Sequence, residues 1–160
     1  QGVNTWPNGE RYEGNWKEGS EHGQGAHIWP DGMRYEGNFK NGYRHGLGAQ
    51  SWPNGNRYKG NWKDGKKNGQ GVYIASNGDQ YEGNFKDGLR HGKGVYIWTD
   101  GERYEGNWKD DNKHGFGVES YSSGDRYEGN FRNGVRHGPG IYTWSDGRTE
   151  EIIYENGEEK

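Results

Sequence analysis

Tyrosine recurs in this chain at a fixed interval of 23 residues, at Tyr12, Tyr35, Tyr58, Tyr81, Tyr104 and Tyr127. No insertion or deletion breaks the register across the six copies. Whatever one copy folds into, its neighbours therefore repeat beside it. Glycine follows two residues after each tyrosine (Gly14, Gly37, Gly60, Gly83, Gly106, Gly129), and an aromatic two after that: Trp16, Phe39, Trp62, Phe85, Trp108 and Phe131. A His-Gly-x-Gly block completes the unit, as in His22-Gly23-Gln24-Gly25 and His45-Gly46-Leu47-Gly48.

Within each copy the spacing is that of strands. In Arg11-Tyr12-Glu13-Gly14-Asn15-Trp16-Lys17 the rings and glycine alternate with charged or polar residues, a period of two that gives one aromatic and one solvated face. The second half, Gly25-Ala26-His27-Ile28-Trp29, puts Ala26 and Ile28 on one side, repeated as Val72 and Ile74 and as Val95 and Ile97. Connectors carrying Asp31-Gly32, Asn54-Gly55 or Asp100-Gly101 favour tight hairpins. A hydrophobic content of 26%, 32 glycines and a mean hydropathy of -1.51 would describe a disordered chain, but 15% of the residues are aromatic, and rings supply the burial that aliphatics usually give.

This unit resembles the MORN (membrane occupation and recognition nexus) repeat, whose core pattern is close to Tyr-Glu-Gly-x-Trp-x-x-Gly-x-x-His-Gly-x-Gly. The likeness covers nearly the whole chain. Departures are few: Lys59 replaces Glu in the third copy, Asn68 replaces His, Asp111 replaces a turn glycine, and Ile152 and Ile153 stand where Gly and Asn would be. Asn precedes the Trp or Phe in all six copies, where the family often has Glu. The resemblance implies elongated, twisted sheets with a groove that accepts peptides or helices.

The expected fold is all-β: an elongated, twisted single antiparallel sheet, a meander of about six hairpin repeats forming an open groove. The array spans 2–149, with a half repeat at 2–11, and 150–160 forms a partial repeat or C-terminal cap. Each unit advances roughly 9–10 Å. With no helix or second sheet to cover the rings, the expected partner-binding groove is walled by Trp16, Phe39, Trp62, Phe85, Trp108 and Phe131 with Tyr35, Tyr58, Tyr81 and Tyr104. The tyrosines also have a purely structural reading, packed on neighbouring glycines, and for the Trp/Phe column core and groove wall stand level. Trp29, Trp52, Trp98 and Trp144, next to turns, form a secondary set. The Trp/Phe alternation shows a second period of 46 residues, shared by Ser20, Tyr43, Lys66, Leu89, Asn112 and Val135.

No catalytic, metal or cofactor site is expected. His22, His45, His91, His114 and His137 occupy one column whose members are too far apart to share a zinc ion, and Asn68 fills the same place without disturbing the pattern. There is no cysteine, and no Gly-x-Gly pair opens a helix that could hold phosphate. A net charge of -3 with interleaved signs gives no footprint for nucleic acid. The leading expectation is a non-catalytic scaffold that binds an amphipathic helix or extended peptide of a protein partner. Phospholipid binding, carbohydrate binding and self-association through the terminal repeats as a homodimer are the alternatives. The lipid reading is weakened because Lys17, Lys40, Lys63, Lys86, Lys109 and Arg132 share their face with Glu13 and its copies. The chain has 16 asparagines and no Asn-x-Ser/Thr sequon, which agrees with a cytoplasmic protein, associated with cytoskeleton or membrane.

Overall fold

The computed structural model describes residues 1–160 and contains strands and turns but no helix. By internal contacts the chain divides into two compact units, Gln1–Ser76 with Phe85–Gly88, and Asn77–Asn84 with Leu89–Lys160. The first holds β1 (Gly2–Thr5), β2 (Arg11–Lys17), β3 (Ser20–Ile28), β4 (Arg34–Lys40), β5 (Tyr43–Ser51), β6 (Arg57–Lys63) and β7 (Lys66–Ile74). Strand β8 (Gln80–Lys86) supplies residues to both. The second holds β9 (Leu89–Ile97), β10 (Arg103–Lys109), β11 (Asn112–Ser120), β12 (Arg126–Arg132), β13 (Val135–Thr143), β14 (Thr149–Glu155) and β15 (Glu158–Glu159). The 15 strands follow chain order in one antiparallel sheet, as the period-two alternation predicts.

Every repeat is built the same way. In the first, Arg11 pairs with Ile28, Tyr12 with His27, Glu13 with Ala26 and Gly14 with Gly25; the register then shifts so that Trp16 faces Glu21. Tyr12, Gly14, Gly25 and His27 thus share one face, and Arg11, Glu13, Ala26 and Ile28 the other. The tyrosine ring lies flat over the cross-strand glycine pair: a Cβ on Gly25 would overlap the Tyr12 ring, and one on Gly14 would strike both the Tyr12 hydroxyl and the Gly25 backbone. The hydroxyl donates to the carbonyl of Asn15 at the bulge, 2.9 Å away, and Tyr35, Tyr58, Tyr81 and Tyr104 do the same to Asn38, Asn61, Asn84 and Asn107. The asparagine side chain turns outward and donates to the opposite strand, from Asn38 to the Leu47 carbonyl at 3.2 Å and from Asn107 to that of Phe116 at 3.0 Å. The invariant Asn of these copies therefore pins the bulge from both sides.

Two kinds of connection alternate. The Glu18-Gly19 turn has both residues at positive φ, 49° and 78°, the mirror-image turn that suits the strand twist. The Asp31-Gly32 connector, which the sequence suggests as a tight hairpin, is one residue longer. The Trp29 and Gly32 amides close it on Met33 and Trp29, and only Gly32 is at positive φ. Successive repeats are tied by the tighter turn. Gly42 donates to the Glu21 carbonyl and Gly65 to that of Arg44, both at 3.0 Å. Asp111 takes the glycine's place in the fifth repeat, at φ 66°, and its carboxylate accepts from the Arg90 amide at 2.9 Å and from Arg90 Nε at 3.0 Å. Those bonds offset the cost of a left-handed non-glycine residue.

Gly48 is not in the left-handed region, so its substitution isolates the ring contact from backbone strain. Gly48→Ala is expected to cost about 1–3 kcal/mol through overpacking against Tyr35. In urea titrations a Gly48→Ala/Tyr35→Ala double variant should show a clear coupling rather than the sum of the two losses.

Candidate functional site

The ring face is filled. Tyr35, Tyr58, Tyr81 and Tyr104 are no more than 1% exposed, and Phe39, Trp62, Phe85, Trp108 and Phe131 no more than 5%; Trp16 is half-buried. Rings meet edge to face. Tyr35 contacts Phe39 and Trp62 at centroid distances of 5.0 and 5.3 Å, and Tyr104 contacts Trp108 and Phe131 at 5.1 Å each. Each such pair adds about 0.5–1.5 kcal/mol beyond burial. Apart from Trp16 these residues are core; it is for the Trp/Phe column that the sequence leaves core and open groove wall level.

What closes this face is a row of cations. In the first unit the Arg44 guanidinium lies 4.4 Å from the Trp62 ring centre, and Lys67 Nζ 5.0 Å from Phe85. In the second, Arg90 lies 4.3 Å from Trp108, Lys113 is 4.9 Å from Tyr104, and Arg136 is 3.9 Å from Tyr127. Arg44, Arg90 and Arg136 alternate with Lys67 and Lys113, so the 46-residue period includes the roof, and Arg44 and Arg90 are the two set against the Trp column. The planar guanidinium stacks on the larger indole and its outer N–H reaches the next turn: Arg44 donates to the Gly65 carbonyl at 2.8 Å, and Arg90 to that of Asp111 at 3.0 Å. Burial pushes the hydroxyls of Tyr12 and Tyr35 up to about 12, so they remain donors at any ordinary pH. Trp29, Trp52, Trp98 and Trp144, beside the longer turns, stay half-exposed.

The first repeat breaks the cation row, and the fifth sets a carboxylate beside it. In the first, Glu21 stands where the others carry Arg or Lys, and His27 fills the space. Its ring stacks on Trp29 at 4.2 Å and on Trp6 at 5.7 Å, while Nε2 is 2.7 Å from Glu10 and Nδ1 3.0 Å from Glu21. Burial, the largest influence, disfavours the charged ring, but the hydrogen bonds and charge of Glu21 and then Glu10 outweigh it and hold His27 above its ordinary 6.5. In the fifth repeat Glu119 accepts from Lys113, Tyr121 and Arg136 at 2.5, 2.7 and 2.9 Å. Burial would push its carboxyl up, yet Lys113 first, then Tyr121 and Arg136, bring it below the usual range. The histidine column lies against the tight turns of following repeats: His45 Nδ1 is 3.5 Å from Asp64 and His91 Nδ1 3.4 Å from Asp110, long for hydrogen bonds.

The accessible concavities described in the first unit lie on the opposite, aliphatic face. One, of about 490 Å³, is floored by Ala49, Ser51, Val72 and Ile74 and rimmed by Arg34, Glu36, Arg57 and Lys59. A second, of about 590 Å³, lies over Gly2, Val3, Glu13 and Ala26. The hollow follows from side-chain size, small Ala49 and Ser51 on β5 beside the larger Val72 and Ile74 on β7. The sequence shows these aliphatics as a pair on one side. They pass as unremarkable beside the rings, and the signal that could have raised them is that their strand partners are charged and so face water.

A sheet of tandem hairpins, its core made of rings on glycine, is the architecture of a repeat array. The MORN repeat profile matches six consecutive segments, 12–34, 35–57, 58–80, 81–103, 104–126 and 127–147, and the chain belongs to the MORN repeat family. No curated protein sequence matches it significantly. Among solved structures it is similar to the TCP domain of Drosophila melanogaster SAS-4 (dCPAP) in complex with a proline-rich motif of Ana2 (dSTIL), at 13% identity and a TM-score of 0.58, covering 93% of this chain and 81% of that one. It also matches the TCP10 domain of Danio rerio CPAP (13% identity, TM-score 0.32, 96% and 100% covered) and virginiamycin B lyase of Staphylococcus aureus (12% identity, TM-score 0.24, 96% and 69% covered). The first of these shares the fold. Family and fold fit a protein-interaction role. No helix here is long and apolar enough to cross a membrane.

The two exceptional carboxylate sites give opposite pH dependences. His27, raised in the folded state, contributes stability that is complete below pH 6.5 and fades as pH rises through its folded value. Glu119, lowered, contributes stability present above pH 4.5 and lost as pH falls through its folded value. Urea midpoints measured across pH for wild type, His27→Gln and Glu119→Gln should lose the alkaline slope in the first variant and part of the acid slope in the second.

Proposed function

We propose that this chain is a non-catalytic protein-interaction module that holds an extended segment of a partner protein against the aliphatic face of its hairpins. The carrying observation is the open concavity of about 490 Å³ over Ala49, Ser51, Val72 and Ile74. Its size falls within the 300–1,000 Å³ typical of ligand clefts. Its apolar side chains sit two residues apart along each strand, the spacing at which an extended peptide presents alternate side chains. The cover of Arg44 and Lys67 over Trp62 and Phe85 favours this face over the ring face. The Trp/Phe columns contribute by making each hairpin rigid, which lowers the cost of ordering a guest. In the Drosophila neighbour the bound molecule is a proline-rich motif of a partner protein, which supports a peptide as the ligand class here. A cytoplasmic, cytoskeleton-associated role goes with this reading.

The half-exposure of Trp29, Trp52, Trp98 and Trp144 favours a second reading, in which these indoles form the contact line. Panning a phage-displayed library of short random peptides separates the two. Val72→Glu/Ile74→Glu is expected to abolish enrichment while Trp29→Ala/Trp52→Ala retains it, with melting curves confirming that both variants fold. Retention by the first and loss by the second would transfer the site to the tryptophan edge.

A further inference from the structure

On the aliphatic face the paired charges neutralise one another, except in the third repeat and in the fourth, where Gln80 replaces the arginine and Glu82 has no ion pair. Arg11 pairs with Glu13 at 2.7 Å, Arg34 with Glu36 at 2.8 Å, Arg103 with Glu105 at 2.7 Å and Arg126 with Glu128 at 2.5 Å. Each pair joins residues two apart on the same strand face, so the sign cancels within a single repeat. The third repeat has Lys59 where these have Glu, and Arg57 and Lys59 make no ion pair or hydrogen bond. Both are exposed on β6, whose register sets Arg57 between Ser51 and Ile74 and Lys59 between Ala49 and Val72. Two uncompensated cations therefore stand in the midst of the small floor of the concavity, with Ile74 still 37% exposed beside them.

We propose that this part of the groove selects an acidic, extended peptide segment, one that places an aliphatic side chain on Val72 and Ile74 and carboxylates on the β6 side of it, against Lys59 and Arg57. This rests on the groove reading of the preceding subsection and adds the chemistry of its occupant. The neighbouring concavity, over Gly2, Glu13 and Ala26, is bordered by the self-paired Arg34 and Glu36 and offers no such preference. Charge complementarity here acts through partner choice and association rate more than through raw affinity.

Lys59→Glu restores the arrangement seen at Arg34 and Glu36 and introduces a residue that the fold accepts at the same position of its other repeats, so folding is not at stake. Peptides selected from the phage-displayed library on wild-type protein should be enriched in Asp and Glu flanking Val, Ile or Leu. Synthetic versions should bind Lys59→Glu about tenfold or more weaker, and wild type progressively weaker as salt is raised. Enrichment that Val72→Glu/Ile74→Glu abolishes, but without acidic bias and indifferent to Lys59→Glu, overturns the acidic preference and leaves the groove standing. Enrichment untouched by Val72→Glu/Ile74→Glu overturns both, as does an empty selection on wild type. Co-sedimentation with phosphatidylserine vesicles that Lys59→Glu removes, in the absence of peptide selection, assigns the two cations to a lipid surface instead.

Discussion

A tyrosine ring laid flat across a pair of facing glycines is the contact on which every repeat depends. It removes the ring from water at almost no cost in sheet thickness, because the backbone beneath it has no Cβ to push it away. The hydroxyl then ties the ring to the bulge carbonyl of the following Asn, and the bulge re-aims the strand so that Trp or Phe falls beside the tyrosine of its own repeat and of the preceding one. Edge-to-face contacts in turn pass the packing from repeat to repeat. A sheet poor in aliphatics can build its core from a single face in this way, with no covering layer.

The same economy decides where a partner can bind. A one-sided aromatic core would leave greasy rings in water, and the fold answers with Arg or Lys drawn from the adjoining strand, their stems covering the rings and their charged ends reaching turn carbonyls or water. The roof consumes the surface that the aromatic content seems to advertise. The other face alternates charge with modest aliphatics and leaves shallow apolar floors, where the proposed interaction falls. An aromatic-rich sequence thus yields a binding surface with few aromatics in it, apart from the indoles beside the longer turns.

Much of the fold is legible in the sequence, because fixed spacing and period two leave little freedom: the strand pairing, the tyrosine-on-glycine packing and the absence of helices all follow from residues 12–16 and their copies. Two features are not. The cations share the parity of Gly25 and His27, which puts them on the ring face, but a charge on an aromatic face reads naturally as a groove rim. Only the shift that sets Trp62 opposite Lys67 brings that chain over Tyr58 and Phe85. The hollow on the far face depends on differences in side-chain volume between neighbouring strands, Ala49 against Val72 and Ser51 against Ile74, which a consensus pattern averages away.

The departures from the repeat carry more information than the repeat itself. A position that the packing fixes cannot vary, so what varies is free to serve something other than the fold. Asp111 replaces a glycine and is compensated locally by Arg90; Glu21 replaces a cation and is compensated by His27. Both are structural exchanges, closed within their own neighbourhood. Lys59 is different, because it removes the carboxylate that the other repeats set beside this arginine, and neither Arg57 nor Lys59 forms an ion pair. An uncompensated substitution on the accessible face of an otherwise self-neutralised ladder costs the fold little, since exposed pairs contribute at most about 1 kcal/mol. Its effect falls instead on whatever approaches from outside, which is why the proposed partner preference is placed at the third repeat.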